Sequence, residues 1–78
     1  MHIKLNEKTA GRLRANLSAL GFCDVGVVTA IGALVSEGSD DIDAIVDAIF
    51  VGEGFAEPDL ADRHLRRAVR DAVVAAAN

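Results

Sequence analysis

The chain has no tryptophan or tyrosine, and its 78 residues include only one cysteine, one proline and three phenylalanines. The single cysteine excludes an intrachain disulfide, and the isolated His2 and His64 lack the paired spacing of a zinc site. The first residues contain no apolar core of a signal peptide. The most apolar run, 25–35, is far shorter than the roughly twenty residues of a membrane span. We therefore expect a cytoplasmic protein with no membrane span, metal or cofactor.

What the chain does contain favours helices. Apolar residues make up 51% of the sequence, which exceeds what a disordered chain of this charge carries. Fourteen of them are alanine, the best helix former and a residue that lets helices approach closely. The length is sufficient for one domain only. We predict an all-α fold: a small compact bundle of about four short helices in a single domain, 1–78.

Glycines and capping residues divide the first half into two predicted helices. The first spans about 7–20, with Asn6 or Thr9 as its N-cap. The second runs from its cap, Asp24, to about Ser36. An alternative is an α+β fold, with a short strand near 25–35 or at the N-terminus, because Val-Gly-Val-Val-Thr is rich in β-branched residues.

The second half contains two further predicted helices. Ser39 or Asp40 would cap the third, which ends near Val51, and the fourth would start at Pro58 and end near Ala76. Helical spacing gives the first helix the buried face Ala10, Leu13, Leu17 and Leu20, and the second Val27, Val28, Ile31, Leu34 and Val35. The third would bury Ile42, Ile45, Val46, Ile49 and Phe50, and the fourth Ala61, Leu65, Ala68, Val69, Ala72 and Ala76.

The link between the first two helices contains the only cysteine. Gly21 suits the left-handed position that follows a helix, and Phe22 is expected to fold back onto the last turn. Cys23 lies beside the start of the second helix, but nothing in the sequence supplies a catalytic base near it. We expect a buried structural thiol and no catalytic residues.

The charges are strongly segregated along the chain. The net charge is −4, yet residues 15–62 contain ten acidic residues and no Lys or Arg. Residues 1–14 and 63–78 each carry four basic residues and one acidic residue. Helical spacing places Asp40, Asp43 and Asp47 on the outer side of the third helix. It places four arginines on one side of the fourth: Arg63, Arg66, Arg67 and Arg70.

This pattern predicts a non-enzymatic protein-binding module, because an acidic field attracts a basic partner. Such a module could be a small inhibitor or adaptor, of the kind phages and mobile elements encode, that occupies a basic or nucleic-acid-binding surface of its partner. The candidate acidic contacts are Asp40, Asp43, Asp47, Glu53 and Glu57. The candidate basic contacts are Arg63, Arg66, Arg67 and Arg70. The small-residue face of the second helix permits close approach by another helix or a partner, and its apolar surface could serve self-association.

Two other functions remain as alternatives. The arginines of the fourth helix could contact DNA phosphates in a transcriptional regulator, although the acidic middle of the chain argues against nucleic acid. The length, the acidity and the four helices also resemble those of acyl carrier proteins, which attach phosphopantetheine to a Ser in an Asp-Ser-Leu motif. The resemblance implies Ser39 as the attachment site, but Gly38 and Asp40 replace both neighbours of the motif.

Overall fold

Four α-helices account for most of the chain in a computed structural model that describes residues 2–57 and 62–78. They are α1 (Glu7–Ala19), α2 (Val25–Glu37), α3 (Ile42–Gly52) and α4 (Arg63–Ala77). The predicted all-α bundle is confirmed. The alternative with a strand is wrong: 25–35 lies within α2, and the N-terminus contributes only an isolated bridge between His2 and Asp41 in the described residues.

The first two helices begin at the aspartate and asparagine caps that the sequence predicts. The Asn6 side chain accepts the Thr9 N–H at 2.9 Å, so Asn6 rather than Thr9 is the cap of α1. Asp24 accepts the Gly26 N–H at 2.8 Å at the start of α2. Each cap provides a partner for a backbone donor that the first turn leaves unpaired.

The predicted caps of α3, Ser39 and Asp40, are wrong, because Asp41 takes this position. The Asp41 carboxylate accepts a backbone N–H of the first turn at 3.3 Å. Ser39 belongs to the C-terminal end of α2, because its N–H donates to the Leu34 carbonyl at 3.0 Å. The Asp40 carbonyl accepts the Ile3 N–H at 2.8 Å, which holds Asp40 in the N-terminal bridge.

The described part of α4 begins at Arg63, whereas the sequence predicts a helix that starts at Pro58 and includes Asp62. Asp62 has a non-helical backbone (φ −51°, ψ 132°), and its carboxylate accepts the N–H groups of His64 and Leu65 at 2.8 and 3.2 Å. Asp62 is therefore the N-cap of α4, Arg63 is its first helical residue, and the predicted helix is interrupted at Asp62. The proposed first position at Pro58 and the contact of Ala61 lie outside the described residues.

The core confirms the predicted face of α3 and corrects parts of the others. All five predicted α3 residues are buried. Leu20 of the predicted α1 face is 41% exposed, and Val28 of the predicted α2 face is 48% exposed. Val73 of α4 is fully buried although the predicted face omitted it, while Leu65 and Ala68 are only half-buried.

An aromatic cluster joins α3 to the link between α1 and α2 and to the segment that follows α3. Phe22 and Phe55 both meet the buried ring of Phe50 edge to face, with ring centres 5.4 and 5.0 Å away. The predicted return of the chain after α1 is confirmed: Gly21 has φ 84°, and the Phe22 N–H donates to the Leu17 carbonyl at 2.9 Å. The expectation that Cys23 is buried is wrong, because Phe22 fills the inward position and Cys23 is exposed.

The helices pack most extensively as two pairs, α2 with α3 and α1 with α4. At one end of the first pair Gly26 and Gly52 are in backbone contact, and the carbonyl of each occupies the place of a side chain on the other. In the second pair, the Asn16 side chain donates to the Ala72 carbonyl at 3.2 Å. None of the helices in 2–57 and 62–78 has the length and apolar content needed to cross a membrane.

Candidate functional site

The helix pairing converts the charge segregation of the sequence into a segregation in space. We call α2, α3 and the loops at their ends (24–57) the acidic half, and α1 with α4 the basic half. The acidic half contains no Lys or Arg. Its exposed acids are Asp24, Glu37, Asp40, Asp43, Asp47 and Glu57. The basic half contains seven of the eight Lys and Arg residues: Lys8, Arg12, Arg14, Arg63, Arg66, Arg67 and Arg70.

The two halves meet where α1 packs against α2 and, more extensively, where α3 packs against α4. Arg66 Nη2 lies 2.9 Å from Asp47 Oδ1, and the Arg66 guanidinium lies 5.5 Å from the centre of the Phe50 ring. The Asp47 side chain remains 51% exposed. The ion pair has a modest energy at this exposure, but it engages Asp47 within the fold, whereas Asp43 is an exposed acid of the same helix.

A cleft of about 530 Å³ runs along this border. Its charged lining consists of Asp43, Arg66, Arg67, Arg70 and Asp71, over an apolar base of Val46 and Val74. Four of the predicted partner-binding residues therefore come together here. The lining residues include no His, Cys, Ser or Thr, and the cleft offers ionic contacts of both signs.

The other predicted acidic contacts lie apart from this cleft. Asp40 precedes α3 and faces His2, with Oδ1 and Nδ1 3.4 Å apart. Glu53 is the C-cap that follows α3 and is half-buried, and its Oε2 has no hydrogen-bond partner within the described part of the chain. Glu57 is exposed in the segment after α3, and Arg63 is the exposed first residue of α4.

A second surface feature lies on the acidic half, between α2 and α3. It is an open apolar groove of about 450 Å³, which we call the α2–α3 groove. One wall comes from α2 and the other from α3, and the lining consists of Gly26, Thr29, Ala30, Ala33, Leu34, Glu37, Ala48, Val51 and Gly52. Val51 is 57% exposed. The small-residue face of α2 was the sequence signal for this groove. The sequence did not show that α3 packs beside that face and forms the second wall of the groove.

No group of three His, Cys, Asp or Glu side chains with a geometry suited to a metal ion occurs among residues 2–57 and 62–78. Ser39, the residue implied by the likeness to acyl carrier proteins, is half-buried in the turn between α2 and α3. Comparisons with protein-family models, curated proteins and solved structures find no match to this chain.

Proposed function

We propose that the protein is a non-enzymatic protein-binding module that docks its acidic half onto a basic surface of another protein, as an inhibitor or an adaptor. The observation that carries this proposal is the spatial separation of charge. The exposed charged side chains of the acidic half are all acidic, and the lysines and arginines lie elsewhere in the chain.

Physical chemistry connects this distribution to binding. At physiological salt an exposed charge acts over about 8 Å, so a surface whose charges are all acidic presents a negative potential to a partner that comes close to it. Such a field raises the rate at which a basic partner is captured and orients its approach. Basic surfaces that bind nucleic acid are suitable targets, because carboxylates can occupy the positions that phosphates would take.

The test compares two double variants with the same change of charge. Glu37→Lys with Asp43→Lys reverses two exposed acids of the acidic half. Glu7→Lys with Asp71→Lys makes the same change in the basic half, and each pair includes one acid from the first turn of a helix. Both variants move the net charge from −4 to about zero, so a general effect of charge is controlled. Asp47 is left unchanged because it pairs with Arg66.

Each protein is used to capture partners from cells at physiological salt, and the captured proteins are quantified by mass spectrometry. We expect the wild type and the Glu7/Asp71 variant to enrich the same protein, and the Glu37/Asp43 variant to lose it. Rising salt should release that protein, because screening weakens the attraction. Equal capture by both variants, with circular dichroism showing intact helices, would contradict the proposal.

A regulator that binds DNA is a second candidate, favoured by the exposure of Arg63, Arg67 and Arg70 on one helix of the basic half. Binding of duplex DNA at physiological salt, lost in Arg63→Ala with Arg67→Ala, would support this function instead. An acyl carrier would be recognised by a pantetheine adduct on Ser39 in the intact mass of the native protein.

A further inference from the structure

The α2–α3 groove is an apolar surface that the packing of α2 against α3 leaves open. Thr29 and Ala33 of α2 are exposed, and Val51 faces them from α3. The residues beneath them, such as Leu34, belong to the core. The groove therefore offers apolar surface that the fold itself leaves uncovered.

The groove extends along α2 over a length that matches a short helix. The α2 residues that line the groove recur every three or four positions from Gly26 to Glu37. They therefore form a line along one side of the helix. The eleven helical steps from Gly26 to Glu37 extend over about 16 Å, or three turns. The wall consists of small side chains, mainly glycine, alanine and threonine, so an incoming helix could approach closely.

The charges at the two ends of the groove are both negative. At one end the Asp24 carboxylate lies 3.4 Å from the point where a side chain on Gly26 would begin. At the other end Glu37 is part of the lining. Since the segment 15–62 has no Lys or Arg, these acids have no basic neighbour along the sequence. The charge that complements both ends is positive.

We propose that the α2–α3 groove binds an amphipathic helix of another protein, with about three turns of small and medium apolar residues and with Lys or Arg near both ends. The proposal rests on the function proposed above and specifies the partner's chemistry: apolar contacts supply the burial, and the acids fix the orientation. A helix of this kind places its anchors three or four residues apart, in register with the α2 wall.

A second copy of the chain does not supply this helix. The basic helices α1 and α4 already bury their apolar faces in the core, through residues such as Leu13 and Val73. Two grooves placed face to face would instead bring Asp24 and Glu37 of both copies together, which is unfavourable for like charges. A partner with a basic amphipathic helix supplies both an apolar face that is free to enter the groove and positive charges for the acids at its ends.

The test uses a defined probe, an 18-residue synthetic peptide that carries Leu and Ala at helical spacing and Lys at all other positions. A scrambled peptide of the same composition retains the charge but has no apolar face. Binding is measured by fluorescence anisotropy at physiological salt, and the mass of the free protein is measured in solution. Ala33→Gln places a polar side chain in the groove without changing charge, and Ala15→Gln, at an exposed site of α1, is its matched control.

We expect the wild type and Ala15→Gln to bind the amphipathic peptide equally. Ala33→Gln should weaken binding about tenfold, and the scrambled peptide should bind about tenfold more weakly than the original. Circular dichroism of the two Gln variants confirms that each remains folded. The Glu37→Lys with Asp43→Lys variant should also bind the amphipathic peptide more weakly.

Each alternative result separates the two proposals. If both peptides bind equally and only the Glu37/Asp43 variant loses them, the groove is not the site, while acidic docking stands. If neither peptide binds, the groove proposal is overturned, and the capture experiment alone decides the proposed function. If Ala33→Gln loses the peptide and the Glu37/Asp43 variant does not, the groove binds a helix without the proposed electrostatic docking. A free dimer that Ala33→Gln dissociates would make a second copy the occupant and overturn the proposal.

Discussion

The contact between Gly26 and Gly52 makes Gly26→Ala an informative substitution. A Cβ atom on Gly26 would overlap the Gly52 carbonyl oxygen, and the Gly52 carbonyl carbon would lie 3.1 Å from it. The obstruction is backbone, so no side-chain rotation can relieve it. The α2 and α3 helices must separate at this end to accommodate one methyl group.

The expected magnitude follows from two opposing terms. Overpacking of a close contact costs about 1–3 kcal/mol, because the surrounding structure shifts and loses dispersion contacts. Replacement of a helical glycine by alanine gains about 1 kcal/mol at an interior position. The gain is smaller at Gly26, which is the second residue of α2. We therefore expect Gly26→Ala to lower the free energy of unfolding by about 1–2 kcal/mol.

The control is Gly32→Ala in the same helix. A Cβ atom on Gly32 has no neighbour within 4 Å, and the residue is exposed. The same substitution should therefore raise stability there by about 0.5–1 kcal/mol. Urea titration followed by circular dichroism at 222 nm measures both changes, and a domain of this size shifts in Tm by about 4–8 °C per kcal/mol. If the Gly26→Ala variant were as stable as the Gly32→Ala variant, the close contact between α2 and α3 at Gly26 and Gly52 would be refuted.

Three further predictions concern stability in the same urea assay. Asp41→Ala should lower the free energy of unfolding by about 1 kcal/mol, because it removes the N-cap of α3, and Asp40→Ala should lower it by less than about 0.5 kcal/mol. A larger loss for Asp40→Ala than for Asp41→Ala would place the cap at Asp40. Asp47→Asn should cost at most about 1 kcal/mol despite its 2.9 Å contact with Arg66, because the pair is partly exposed, and a larger loss would indicate a buried pair. Asn16→Ala should cost about 0.5–1.5 kcal/mol through its hydrogen bond to the α4 backbone, and no loss would show that this bond does not join α1 to α4.

Local chemistry made the helices predictable from the sequence. Asn6 and Asp24 each have a side-chain oxygen at the correct distance from a free N–H of the first turn, so capping rules identify them. The spacing of apolar residues in α3 identified its whole buried face. The failures occurred where local signals compete. Three consecutive residues, Ser39, Asp40 and Asp41, can each cap a helix, and the choice depends on bonds that the first two make to α2 and to the N-terminal segment.

Helical spacing shows which residues share a side of a helix, but it does not show which helix that side meets. For this reason, Asp47 appeared in the sequence as an outward acid equivalent to Asp43, whereas in the fold it pairs with Arg66 from a helix nineteen positions further along the chain. The same limit hid the α2–α3 groove, since its second wall depends on the contact of Gly52 with Gly26, which no local pattern in the sequence predicts. Tertiary pairing therefore determines which acids remain accessible. It favours Glu37 and Asp43 over Asp47 as the positions at which a docking surface should be tested.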